Sequence, residues 1–310
     1  MNADTGAVPQ RLAELSARIG RCPDLDTLLS TALGGIAELF GYGHSLLLLL
    51  DESNTRCYTI ASHGYETQGV GSEVNVGEGV IGMVAARAEP VRVGNLGQML
   101  AYARTVRRAY EASGEEVPGQ EIPLPGLANA ESLVAVPAMV LGQLVGVLAI
   151  ESPERLAFGP GDEALLTVVA TLLASAIEID AAEERCAVPA VGAPSRPAAD
   201  TSTPVTRVRF FAIDGSTFLD GDYLIKGVAG RVLWALLRQY VDAGRVEFTN
   251  KEVRLDPTLE LPDFRDNLES RLILLKRRLV ERDAPIRIEK TGRGRFRIDV
   301  DTQLHLEDAG

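Results

Sequence analysis

Three arginines at alternate positions, Arg293, Arg295 and Arg297, sit in the stretch EKTGRGRFRIDV. A β-hairpin turning at Gly292 and Gly294 would put Arg295 and Arg297 on one outer face and Arg293 at the tip. That arrangement suits phosphates or a narrow minor groove, though the same charges could instead guard an edge strand. Just upstream, FRDNLESRLILLKRRLVER carries Arg271, Lys276, Arg277, Arg278 and Arg282 at helical spacing. At 100° per residue, Leu268, Leu272, Leu275 and Leu279 fall within about 60° of one another and form a core stripe. The opposite face would then hold Ser270, Ile273, Leu274, Arg277 and Glu281. Apolar side chains can touch thymine methyls but cannot supply the bidentate hydrogen bonds of base readout. Flanking cations suit phosphate contact, which adds affinity and little sequence information. Two uses are therefore open: DNA contact through the cations, or docking of a protein partner through Ile273 and Leu274.

Other candidate chemistry is sparser. Gly77-Glu78-Gly79-Val80-Ile81-Gly82 has the spacing of a dinucleotide-binding turn. That turn requires a buried parallel strand before it, and GSEVNV is too polar to be one. Tyr102, Arg104 and Tyr110, in the helix-like MLAYARTVRRAYEASG, could contact a small ligand, or simply line a solvated helix. His44 and His63 bracket two strands, where plain surface or core roles are commoner than metal ligation. Cys22, Cys57 and Cys186 are far apart and lack CxxC spacing, which suits a reducing cytoplasm and argues against a zinc site. No nucleophile–base pair or paired carboxylates stand out, so an enzyme is not expected, and no pattern designates a cofactor.

The elements that must position these groups fall into two domains. Residues 187–206, AVPAVGAPSRPAADTSTPVT, hold four prolines and no apolar periodicity. Such a stretch reads as an extended linker able to span about 60 Å. The expected organisation is a first domain over 1–186, this linker, a second domain over 207–300, and a flexible tail over 301–310. Charge divides along the same line. Residues 1–200 hold 12 Arg and no Lys against 25 acids, and residues 201–310 hold 19 basic residues against 18 acids. The acidic half would be repelled by nucleic acid, and the other half could tolerate it. Within Arg271–Arg297 ten basic residues face three acids. No apolar run approaches the ~20 residues of a membrane span, and no basic-then-apolar leader opens the sequence, so a cytoplasmic protein without a membrane segment is expected.

In the first domain, Leu12, Leu15 and Ile19 mark one helix, and Leu25, Leu29, Leu33 and Ile36 a second. Strands follow at 44–50 and 56–62, and 132–140 with 143–151 make a hairpin. A long helix starts near Pro160. Helices, strands, a hairpin and a closing helix indicate an α+β fold with an antiparallel sheet. The stretches DLDTLLSTALGGIAELFGYGHSLLLLLDE, GEGVIGMVAARAEPVRV, ESLVAVPAMVLGQLVGVLAIES and FGPGDEALLTVVATLLASAI, in this order over about residues 22–179, resemble the GAF family of sensor domains. The resemblance implies a ligand pocket on one sheet face, covered here by about 96–130. It also implies terminal helices that pair two copies into a homodimer.

The second domain offers strands turning at Asp214-Gly215 and Asp220-Gly221, then a helix closed by Gly244. A short helix capped by Thr249 or Asn250 follows, then the basic helix started by Asp263 or Asp266, and the Arg-rich hairpin. Over residues 207–299 this order is similar to the winged helix-turn-helix effector domains of OmpR-type response regulators. The resemblance implies a third helix in the major groove and a wing on the minor groove or backbone, with Arg271, Lys276, Arg277, Arg278, Arg293, Arg295 and Arg297 as DNA contacts. The expected function is a signal-responsive regulator that senses a small ligand or dimerises through one domain and controls transcription through the other. The alternative is an adaptor docking a protein through Ile273 and Leu274.

Overall fold

The structure, a computed structural model, describes residues 7–96, 122–186, 205–256, 259, 268–292 and 294–309. The chain divides into two compact units, Met1–Glu178 and Ile179–Gly310. Residues 187–204 of the expected linker lie outside the described residues, and Val205 and Thr206 already belong to a strand.

In the first unit, α1 (Ala7–Ile19) packs on α2 (Leu25–Phe40). Asp24 caps α2 by accepting from the Thr27 N–H at 2.8 Å, and Gly41 ends it in the left-handed region at φ 80°. Six strands then build one antiparallel sheet: β1 (His44–Leu50), β2 (Arg56–His63), β3 (Glu73–Asn75), β4 (Val91–Val93), β5 (Ser132–Val140) and β6 (Gln143–Ser152), in spatial order β3-β2-β1-β6-β5-β4. Its central strands are apolar on both faces, because both are covered. Leu46, Leu48, Val147 and Ala149 meet Val80, Ile81 and Val84 of α3 (Gly79–Arg87) on one face. Alternation sends the buried Leu47, Val134, Leu148 and Ile150 to the other, where α2 crosses β1 and β2.

The glycine fingerprint proves to be a turn. The strand before it, β3, is three residues long and antiparallel at the sheet edge. Gly77 and Gly79 take φ of 91° and 61°, and a Cβ on Gly82 would lie 2.2 Å from the Asn75 carbonyl oxygen. Glycine is required there so that α3 can close onto its own entry loop.

The closing helix, α4 (Pro160–Cys186), corrects one expectation. Its Pro160–Ala182 stretch is long and apolar enough to cross a bilayer by length and composition. Leu166, Val169, Leu173 and Ile177 are nonetheless buried along one side, as in a core helix.

After the last turns of α4, the second unit holds β7 (Val205–Phe211), β8 (Ser216–Leu219) and β9 (Asp222–Ile225), paired antiparallel. Then come α5 (Gly227–Ala243), β10 (Glu247–Thr249), α6 (Asn250–Arg254), α7 (Leu268–Glu281), β11 (Ile286–Gly292) and β12 (Arg295–Val300). Thr249 caps α6 in a reciprocal capping box with Glu252, and Gly244 closes α5 at φ 64°. Strands β10, β12 and β11 form a three-stranded sheet, with Phe248 stacked on Phe296 at 5.7 Å. Asp263 and Asp266, the candidate caps of α7, lie outside the described residues.

The expected flexible tail over 301–310 is corrected by β13 (Gln303–Asp308), which pairs in parallel with β7. The cause is legible in LHLE: Leu304 and Leu306 are half-buried, and they alternate with polar Gln303 and His305 outward. Arg207 and Arg209 of β7 add ion pairs to Glu307 at 3.2 and 3.3 Å, which at their exposure contribute little.

Candidate functional site

On the α3-facing side of the first sheet, the apolar rows of β1 and β6 end in polar groups. His44 and Glu151 stand directly opposite each other in the β1–β6 ladder. Parity places Glu151 on the same face as Val147 and Ala149, and His44 with Leu46 and Leu48. Tyr65, in the loop after β2, packs edge-on to the His44 ring with centroids 5.5 Å apart. The half-buried Glu151 carboxylate accepts from the Leu127 N–H at 2.7 Å. Burial pushes the Glu151 carboxyl above the usual carboxylate range, opposed by the Leu127 N–H, the Tyr65 hydroxyl and the His44 ring. Burial likewise raises the Tyr65 phenol, assisted by the Glu151 charge. That hydroxyl faces the carboxylate and is sealed from solvent, but it closes no hydrogen bond of ordinary geometry. Cys57 is fully buried on this face, its thiol pushed up to about 12 by burial and by Asp51, so it is no ready nucleophile.

In the sequence His44 reads as a plain strand-end histidine, and neither Glu151 nor Tyr65 stands out. The signal was present in GVLAIES: period-2 alternation from Val147 carries Glu151 onto an otherwise apolar face. Tyr102, Arg104 and Tyr110, the residues expected to contact a ligand, lie outside the described residues. Among the described residues, no group of three His, Cys, Asp or Glu side chains could hold a metal ion.

In the second unit the sequence-expected cations separate into distinct environments. Helix α7 is buried along its whole first half: Leu268, Leu272 and Leu275 as expected, but also Ser270, Arg271, Ile273 and Leu274. Ile273 and Leu274 are only 4% and 3% exposed, which corrects their assignment to an outer face and removes them as a docking surface. The reason is that α7 meets α5, α6, β9 and β11, more neighbours than a one-sided helix has. Arg278 is also buried; its guanidinium donates to the Leu224 carbonyl of β9 and to Glu281, each at 2.9 Å. Arg271 and Arg278 are therefore corrected from DNA contacts to interior residues. Glu269, near the start of α7, accepts from Asn250 at 3.1 Å and from Lys290 at 2.6 Å, tying α6, α7 and β11 together. Lys276 is exposed and Arg277 half-buried.

On the hairpin, Arg295 and Arg297 are exposed on the outer face of β12, while Phe296 and Ile298 point inward. Arg297 is engaged by Glu289 at 2.8 Å and Asp299 at 3.1 Å; its hydrogen bond to Glu289, then the two negative charges, raise its pKa further. Arg287 is similarly held by both oxygens of Asp301. Arg293 lies outside the described residues.

Residues 24–177 match the family model of the GAF domain. Solved structures with a similar fold include the GAF domain of an Acinetobacter phosphoenolpyruvate-protein phosphotransferase, at 22% identity over 58% of this chain and 96% of that one, with a TM-score of 0.46. The corresponding domain from Coxiella burnetii is 19% identical over 59% and 99% of the two chains, with a TM-score of 0.44. The free methionine-R-sulfoxide reductase of Neisseria meningitidis is 19% identical over 57% and 93%, with a TM-score of 0.43. No curated protein matches the chain. With the family match falling on the antiparallel sheet and its flanking helices, residues 24–177 are a GAF domain, a module of signal-sensing regulation.

Proposed function

We propose that this protein is a signal-responsive transcriptional regulator, in which the GAF domain senses a small ligand and the second unit is a winged helix that binds DNA. The observation that carries the DNA reading is the order of elements in the second unit: a strand platform, three helices, and a hairpin joined to β10 in a three-stranded sheet. This is the succession of OmpR-type effector domains. The buried α7 shifts the weight of the reading to the hairpin, where Arg295 stands exposed. Such contacts address the phosphate backbone more than base edges. The protein acts by binding and not by turnover, in the cytoplasm.

We further propose that two copies pair through the helices flanking the GAF sheet. Val168 and Ile179 of α4 are 45% and 61% exposed and, with the half-buried Leu172 between them, follow the 4-3-4 spacing of a helix-pairing seam through Ser175. Ligand binding would then act by shifting the populations of this helix pairing. The test of the DNA reading is retardation of genomic fragments by the full-length chain at low salt. Binding that weakens steeply with added salt supports it, and no retardation of any fragment at low salt overturns it.

A further inference from the structure

We propose that Glu151, with His44 and Tyr65, recognises an organic ammonium ion, a protonated amine carried on an apolar body. This rests on the reading of the GAF sheet as a ligand-binding face, and names the chemical class that face selects. The apolar requirement comes from the face itself, where Leu46, Leu48, Val147 and Ala149 are all buried. The cationic requirement comes from Glu151. Among the described residues no Lys or Arg pairs with it; it accepts from the Leu127 N–H, and the Tyr65 hydroxyl and the His44 ring beside it oppose the effect of burial without overcoming it. A carboxylate taken from water without a full counter-charge is destabilising. A neutral Gln could accept the same Leu127 N–H and secure the same loop without that cost, so anchoring alone does not explain an acid here.

The surroundings restrict which cation fits. A metal ion would find only two ligating side chains, His44 and Glu151, and no third His, Cys, Asp or Glu stands close enough among the described residues. An ammonium group needs less, one carboxylate and an aromatic wall, and the Tyr65 ring beside the carboxylate, packed edge-on to His44, supplies that wall. Glu151 is only half-buried, so a ligand can reach it. Pairing there would keep the carboxylate ionised, against the effect of burial.

The test uses benzylamine and its neutral isostere benzyl alcohol as probes, titrated calorimetrically into the full-length protein at neutral pH. The inference expects saturable benzylamine binding, tighter than benzyl alcohol by about tenfold or more, as a charge-assisted contact requires. Glu151→Gln should abolish that preference while raising the thermal midpoint at neutral pH, which shows that the variant is folded and relieved of its buried charge. Equal binding of the two probes overturns the inference but leaves the ligand-face reading intact. Benzylamine binding unchanged in Glu151→Gln overturns the assignment of Glu151, and the absence of saturable binding by either probe overturns the inference outright.

Discussion

A methyl group added at Gly230 would sit 1.9 Å from the Gly215 carbonyl oxygen and 3.1 Å from the Thr217 hydroxyl. The helix α5 therefore rests backbone to backbone on the β7–β8 turn, and overpacking of this kind costs about 1–3 kcal/mol. Gly230→Ala should lower the denaturant midpoint of the second unit by that amount. Gly34→Ala, in α2 where an added Cβ meets nothing within 4 Å, should stabilise by about 0.5–1 kcal/mol. Glu151 makes a prediction of opposite character. Its folded pKa is raised, so its contribution to stability is full below the ordinary carboxylate value and is lost as pH rises through the raised one. Urea unfolding across that window should show the loss in the wild type and a flatter profile in Glu151→Gln. At this scale the sequence was partly legible. Thr249, Gly244 and the Gly77–Gly82 turn announce themselves because capping and left-handed positions admit few residue types. The Gly230–Gly215 contact, between residues 15 apart, leaves no local pattern to read.

Among the elements, α7 shows where periodicity stops being informative. A helical wheel finds the stripe Leu268, Leu272, Leu275, Leu279, and all four are buried. It cannot count how many elements will pack around the helix, and α5, α6, β9 and β11 together also cover Ile273 and Leu274. The GAF strands were readable for the converse reason. Apolar runs such as SLLLLL, bounded by turns, have few alternatives once helices flank them on both sides in sequence. On α4, Ile177 is buried while Ile179 is 61% exposed, so the outer stripe has no cover within the described residues. Ile179→Glu should reduce self-association in sedimentation experiments and leave the unfolding of the GAF domain within about 0.5 kcal/mol of wild type, as for other surface changes.

For the molecule as a whole, the division of charge carries the functional expectation. The first 200 residues hold 25 acids against 12 arginines, so DNA contact would have to come from the second unit. Much of that unit's positive charge is matched internally: Arg207 and Arg209 by Glu307, Arg287 by Asp301, Arg297 by Glu289 and Asp299. Arg295→Ala should therefore weaken DNA binding more than Arg297→Ala. It should also reduce the slope of log affinity against log salt by about 1, measured by fluorescence anisotropy at several salt concentrations. Two units are what the sequence leads one to expect, but the division falls after Glu178, inside α4 and ahead of the Pro-rich stretch expected to mark it; the strand β13 was not legible, because six residues beyond the hairpin look like a trailing end.

That outer strand has a temporal consequence. The Arg209–Glu307 ion pair joins residues 98 positions apart, and β13 is synthesised after the other described strands of its unit. Until it arrives, β7 presents an unpaired edge beside Val208 and Phe210, the kind of edge that recruits a neighbouring chain. Pairing across so long a loop is slow. The second unit must therefore pass through an interval, during translation or refolding, when its first strand is made and its partner is not, and encounters between nascent chains are most hazardous then.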